Sequence, residues 1–215
     1  QVSTELFKKY IYTRMRLTID KFQQLHSIST LEMNDFDKSI KLVQVLLDKT
    51  EKEVEKIPIK KFERICKKLE QAFNLNMDEA IKSQPKNIIK ANGRRYKLNF
   101  EVTKEPFNTG RYIEVATFAD GNTIMNMHNI LASISQPMVF NWNKLAWECL
   151  PYNALLHEQY ADDLKHADFK HGYHALVFFC QFLMSSIPGS KDYLEIVTEK
   201  QMMQNLQPIL LQPTF

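Results

Sequence analysis

Residues 87–137 read NIIKANGRRYKLNFEVTKEPFNTGRYIEVATFADGNTIMNMHNILASISQP, and the reading of this stretch decides the fold. Asn92-Gly93 supplies two adjacent residues that tolerate positive φ, as a type I′ turn requires, so the segment predicts a two-residue β-hairpin. Counting back across the turn pairs Ala91 with Arg94 and Ile89 with Tyr96. Ile89, Tyr96, Leu98 and Phe100 then share one face, and Lys90, Arg95 and Lys97 share the other. A two-stranded hairpin is marginal alone, so it must lean on helices or add strands from a neighbour.

Downstream of Pro106, Asn108 or Thr109 caps a helix that runs to about Ala119, and Gly121-Asn122 breaks it. Ile124, Met127, His128, Leu131 and Ile134 form the apolar stripe of a second helix, which Pro137 is expected to stop. Upstream, Phe36, Ile40, Val43 and Leu47 recur as one helical stripe behind a cap at Asn34 or Asp35. Pro58 opens another helix with Ile59, Phe62, Ile65, Cys66, Leu69 and Phe73 on its apolar side. These two are expected to pair antiparallel. A tryptophan-containing connector, Phe140 to Pro151, leads to a helix from about Ala154 and a greasy helix from about Phe169 to Ile187. A last amphipathic helix carries Tyr193, Ile196, Val197 and Met203.

The expected architecture is therefore α+β and predominantly α-helical: a helical bundle with one central β-hairpin and extended terminal arms. Its parts are an N-terminal arm (1–14), a helical region (15–84), the hairpin with two helices (85–137), a C-terminal helical region (138–205) and an apolar C-terminal arm (206–215). Met15 would itself make a plausible start, so residues 1–14 read as a processed or appended arm.

Bulk properties narrow the class of function. With 44% hydrophobic and 25% charged residues the chain has an ordinary globular composition, and 215 residues suffice for one sizeable domain or a core with arms. Five glycines argue against a loop-built active site. Cys66, Cys149 and Cys180 are widely spaced, which gives neither a disulfide framework nor a zinc signature. The first residues do not form the apolar run of a secretory signal, and Ala175–Met184 is too short for a membrane span, so a soluble protein with no membrane partner is expected. Residues 1–106 carry 22 Lys and Arg against 15 Asp and Glu, while residues 107–215 carry 6 against 10. Such polarity suits the stacking of complementary faces in an assembly, or nucleic-acid contact by the front half.

Several residues invite a chemical reading. His157, Glu158, Asp162 and His166, with His171 and His174 after them, have helical spacings able to offer two ligands to a metal. Asp162 and His166 are the weak metal candidates, but Leu156, Tyr160 and Leu164 define the inward face and turn most of the acids outward. His128 on its apolar stripe reads as a satisfied core histidine. No phosphate-binding glycine loop and no nucleophile–base pairing is visible, so no catalytic residue, cofactor or resident metal is assigned. Lys60, Lys61, Arg64, Lys67 and Lys68 form a basic helix face, but Glu63 and Glu70 interrupt it. Nucleic-acid contact is therefore weighed but not favoured.

The order of segments resembles proteins encoded among the tail genes of tailed bacteriophages, the tail assembly chaperones. The resemblance rests on Met15-Arg-Leu-Thr-Ile-Asp-Lys-Phe-Gln-Gln-Leu25, on EVEKIPIKKFERICKKLE (53–70), and on Ile88-Ile-Lys-Ala-Asn-Gly-Arg-Arg-Tyr-Lys97. Gly110-Arg-Tyr-Ile-Glu-Val-Ala-Thr-Phe118 and Asn126-Met-His-Asn-Ile-Leu-Ala132 complete it, over roughly residues 15–137. The helical region and apolar tail after 137, and the arm before Met15, exceed what such a chaperone needs. The resemblance therefore implies a non-enzymatic neck, ring or tail component of a virion. The alternatives are an assembly chaperone not retained in the particle, and a DNA-contacting protein using the basic half. Expected partners are further copies of the chain and other phage structural proteins (portal, ring or tail components). The contact residues are expected to be Leu6 and Tyr10 in one arm, Ile209, Leu210, Leu211 and Phe215 in the other, and Arg94, Arg95 and Lys97 on the hairpin.

Overall fold

A computed structural model describes residues 17–73, 85–100 and 108–186. They form two compact units: residue 17 with 21–73, and residues 18–20 with 85–100 and 108–186. The expected arms, the last amphipathic helix and their contact residues Leu6, Tyr10, Ile209, Leu210, Leu211 and Phe215 lie outside the described residues.

Helix α1 (Ile19–Ser29) begins in the second unit and continues in the first, where α2 (Asp35–Leu47), α3 (Glu51–Glu55) and α4 (Ile59–Phe73) follow. Of the two caps the sequence offers, Asn34 or Asp35, it is Asn34 that caps α2, its Oδ1 accepting from Asp37 N at 2.8 Å. Asp48 ends α2 in the left-handed region (φ 51°), and its carboxylate accepts from Lys21 Nζ at 2.5 Å. Thr50 and Glu53 cap α3 reciprocally, Thr50 N donating to Glu53 Oε2 at 2.9 Å. This backbone hydrogen bond, then Lys49, hold the Glu53 carboxyl down at about 2. The α2 stripe is rotated from its expected setting. Val43 and Leu46 are buried, whereas Phe36 is exposed and meets Phe62 of α4 in a tilted arrangement, ring centroids 6.2 Å apart.

The second unit holds a sheet and four further helices: α5 (Thr109–Asp120), α6 (Met127–Ile134), α7 (His157–Lys165) and α8 (Phe169–Ser186). The hairpin forms as the sequence predicts. Strand β1 (Ile88–Ala91) pairs with β2 (Arg94–Leu98) in the expected register, and Asn92 and Gly93 both take positive φ (46° and 75°). It is not the lone hairpin of a helical bundle, however. Strand β3 (Ser135–Asn141) pairs with β2, and β4 (Ala146–Cys149) pairs with β3, giving an antiparallel sheet in the order β1-β2-β3-β4. The chain is mixed α and β, with eight α-helices among the described residues. The added strands come from this chain rather than from a neighbour.

Pro137 marks the reason for the difference. It lies inside β3 opposite Tyr96, and its carbonyl accepts from Leu150 N at 2.8 Å. The helix before it ends at Ile134, three residues earlier than the proline. The supposed connector is itself a hairpin. Asn141 Oδ1 accepts from Asn143 N and Lys144 N (3.0 and 3.3 Å), folding the chain back onto β4, while Lys144 reaches Glu148 at 2.7 Å.

The inner face of the sheet, with Ile89, Ala91, Tyr96 and Leu98, is buried, as are Met127, Ile130, Leu131 and Ile134 of α6 and Tyr160 and Leu164 of α7. Helix α8 buries Phe169, Tyr173, Leu176 and Phe179, confirming its reading as a core helix. Gly172 permits a close approach: a Cβ there would sit 2.7 Å from Ile19 Cδ1 and 3.1 Å from Leu131 Cδ1. No described helix is long and apolar enough to cross a membrane.

Candidate contact surface on the sheet

The three hairpin cations do not form one patch. Period-two alternation puts Arg94 on the inner side of the sheet with Tyr96, and Arg95 and Lys97 on the outer side. Arg94 Nη1 donates to Asp163 Oδ2 at 2.8 Å, Tyr96 Oη donates to the same oxygen at 2.5 Å, and Asn92 Nδ2 donates to Oδ1 at 2.7 Å. Asp163 is 5% exposed. Burial, then Asp163, raise the Tyr96 phenol well above its ordinary range. Arg94 is thus committed, half-exposed, to pinning the hairpin tip to α7.

Of the two neighbouring acids the sequence turns outward, Asp162 obeys and Asp163 does not. Asp162 is exposed and pairs with Lys165 at 3.0 Å, whose hydrogen bond lowers its pKa. His166 is exposed. Among the described residues no three His, Cys, Asp or Glu side chains come together to hold a metal ion. His157 stacks on Phe118 (centroids 5.2 Å apart, planes 11° apart). Its Nε2 lies 3.2 Å from the Asn129 carbonyl oxygen, which favours the tautomer with the proton on Nε2.

An open concavity of about 470 Å³ lies over α6 and α7, lined by His128, Asn129, Glu158, Gln159, Ala161, Asp162 and Lys165. Among the described residues no hydroxyl or thiol side chain lines it, and Asp162 is paired with Lys165. Burial, then Lys165, depress His128 to about 4 against the pull of Asp162 and Asp20, so the imidazole is neutral at neutral pH. The sign of the linkage follows: with a folded pKa below the unfolded one, His128 costs stability as pH falls from about 6.5 to about 4. On the order of 1 kcal/mol is expected after solvent screening. In urea titrations at several pH values, the stability of wild type relative to His128→Asn should shrink across this window. A pH-independent difference would deny the coupling.

The outer side of the sheet is different in kind. Alternation from the paired registers places Ile88 and Lys90 of β1, Arg95 and Lys97 of β2, Gln136, Met138 and Phe140 of β3, and Trp147 and Cys149 of β4 on it. None of these residues is buried, and none is acidic. Lys90, Arg95 and Met138 stand in one cross-strand row, and Phe140 and Trp147 form the next pair toward the β3–β4 turn. The Arg95 guanidinium carbon lies over the Trp147 ring, 4.1 Å from its centroid. Phe140 meets Trp147 and Trp142 edge to face, with centroids 5.5 and 4.8 Å apart.

The turn beyond is uncharged at its tip except for Lys144, which is turned back to Glu148. Trp142 is 79% exposed and Leu145 75% exposed, and Leu145 is held at φ 49°. A leucine in the left-handed region costs about 1 kcal/mol or more, with no packing here to offset it. Sequence reading missed Phe140, Trp142, Leu145 and Trp147 as a surface. The signal was present: Asn141-Trp-Asn-Lys144 is a polar turn between two short apolar runs.

The chain matches no protein-family profile, no curated protein and no solved structure.

Proposed function

We propose that this chain is a non-enzymatic structural component of a tailed-phage particle, in its neck, ring or tail, that works by contact between its surface and neighbouring proteins. The observation that carries the reading is the β3–β4 turn, where Trp142 and Leu145 are held in water at a cost in backbone strain. A large apolar pair in that setting is what a buried contact uses and what an isolated monomer has no reason to keep. The order of segments from Met15 to Pro137, which resembles the phage tail proteins, supports the setting.

The strain and the contact separate experimentally. Leu145→Gly relieves the positive φ, so it is expected to raise stability by about 1 kcal/mol while weakening association at least tenfold. Thermal unfolding and co-sedimentation with the neighbouring tail proteins of the same phage measure the two effects. A variant equal to wild type in association removes the turn from the contact surface. A chain that acts during assembly but is missing from finished particles would shift the reading to a chaperone.

A further inference from the structure

We infer that the outer side of the sheet is a binding site for single-stranded nucleic acid, a site distinct from the hairpin-tip contact and independent of it. Three features of the face converge on that ligand. Its charge is one-signed: Lys90, Arg95 and Lys97 stand on it without a carboxylate from any strand, and Lys90 and Lys97 have no ion-pair partner among the described residues. That composition complements a polyanion. Its aromatic residues adjoin the cations rather than lying apart. The Phe140–Trp147 pair is one step along the strands from the row of Lys90 and Arg95, a shift of about 7 Å at the usual two-residue rise. A chain of phosphates can therefore follow the β1–β2 half while its bases reach the β3–β4 half.

The third feature selects single strands over duplexes. The Arg95 guanidinium over Trp147 offers a planar surface on which a base can stack, and only an unpaired base exposes its face. Charge alone would draw any polyanion, whereas the rings add a demand for free bases.

The chain's two tryptophans, Trp142 and Trp147, both belong to this half of the sheet, so intrinsic emission reports the site directly. The experiment titrates the full chain with oligothymidylate, with the same strand annealed to oligodeoxyadenylate, and with polyglutamate. Oligothymidylate is expected to quench tryptophan emission and to bind at least tenfold more tightly than either competitor. Three phosphate contacts would weaken it roughly 20-fold between about 50 and 200 mM salt. The exposed pair Lys90→Gln/Lys97→Gln should flatten that salt dependence. Trp147→Leu should weaken binding about tenfold, while Trp147→Phe keeps most of it. Equal binding of polyglutamate would overturn the inference in favour of an acidic protein partner, and tighter duplex binding, or no quenching at all, would also overturn it.

Discussion

Arg111→Ala is expected to lower the stability of the chain by about 3 kcal/mol, the largest effect of any single substitution considered. Arg111 is 2% exposed, on the first turn of α5. Its Nε donates to the Ser133 carbonyl at 2.6 Å and an Nη to the Ser135 carbonyl at 2.9 Å, tying α5 to the point where α6 becomes β3. The guanidinium carbon sits 4.3 Å from the Tyr152 ring centroid, and Tyr152 Oη donates to Glu114 at 2.7 Å. Two effects oppose each other. Burying the charge is costly, as the lowered Arg111 pKa shows, and truncation would remove that cost. Truncation also orphans two buried carbonyls and leaves a hole of arginine size, and these terms win because each charged hydrogen bond contributes about 1.5–3 kcal/mol. Arg111→Met fills the hole without the donors, so it should recover only part of the loss. Urea unfolding checks both variants, and a loss below about 1 kcal/mol for Arg111→Ala would show that the desolvation term dominates.

Asp163→Ala is expected to cost about 2–3 kcal/mol. The half-exposed Arg94 can recover water, but the Tyr96 hydroxyl is fully buried and has no other acceptor among the described residues. Asp163→Asn keeps an acceptor and should lose only about 1 kcal/mol. Because Tyr96 and Asp163 act as a pair, Tyr96→Phe combined with Asp163→Ala should cost well under the sum of the two. Additive losses in that double-mutant cycle would contradict the network.

These two residues also show where sequence reading stops. The Asn92-Gly93 turn, the β1–β2 register, the caps at Asn34 and Asn108 and the core helix Phe169–Ser186 are local consequences of local chemistry, and they were legible. Asp163 lies three residues beyond Tyr160, on the face that periodicity buries, yet its polarity argued for water. Asn92, Arg94 and Tyr96, some seventy residues earlier, make its burial tolerable. Arg111 is similar: its acceptors are backbone carbonyls more than twenty residues on, which no side-chain pattern announces. Strands β3 and β4 were hidden differently. Pro137 signals a helix stop, but on an inner-facing position of β3 it interrupts nothing that the Tyr96 pairing needs to hold the sheet together. The working surface was consequently split in the sequence, with cations assigned to one hairpin and the aromatic residues left in a connector.

The most direct test of the proposed role is the copy number of this chain in purified particles of the phage that encodes it, for wild type and for Trp142→Ser/Leu145→Gly. Both substitutions fall on exposed positions, so folding should survive and circular dichroism should be unchanged. The expected result is many copies per particle for wild type and a loss of at least tenfold for the double variant. Full incorporation of the variant, or particles that contain none of the wild-type chain, would contradict a structural role carried by this surface.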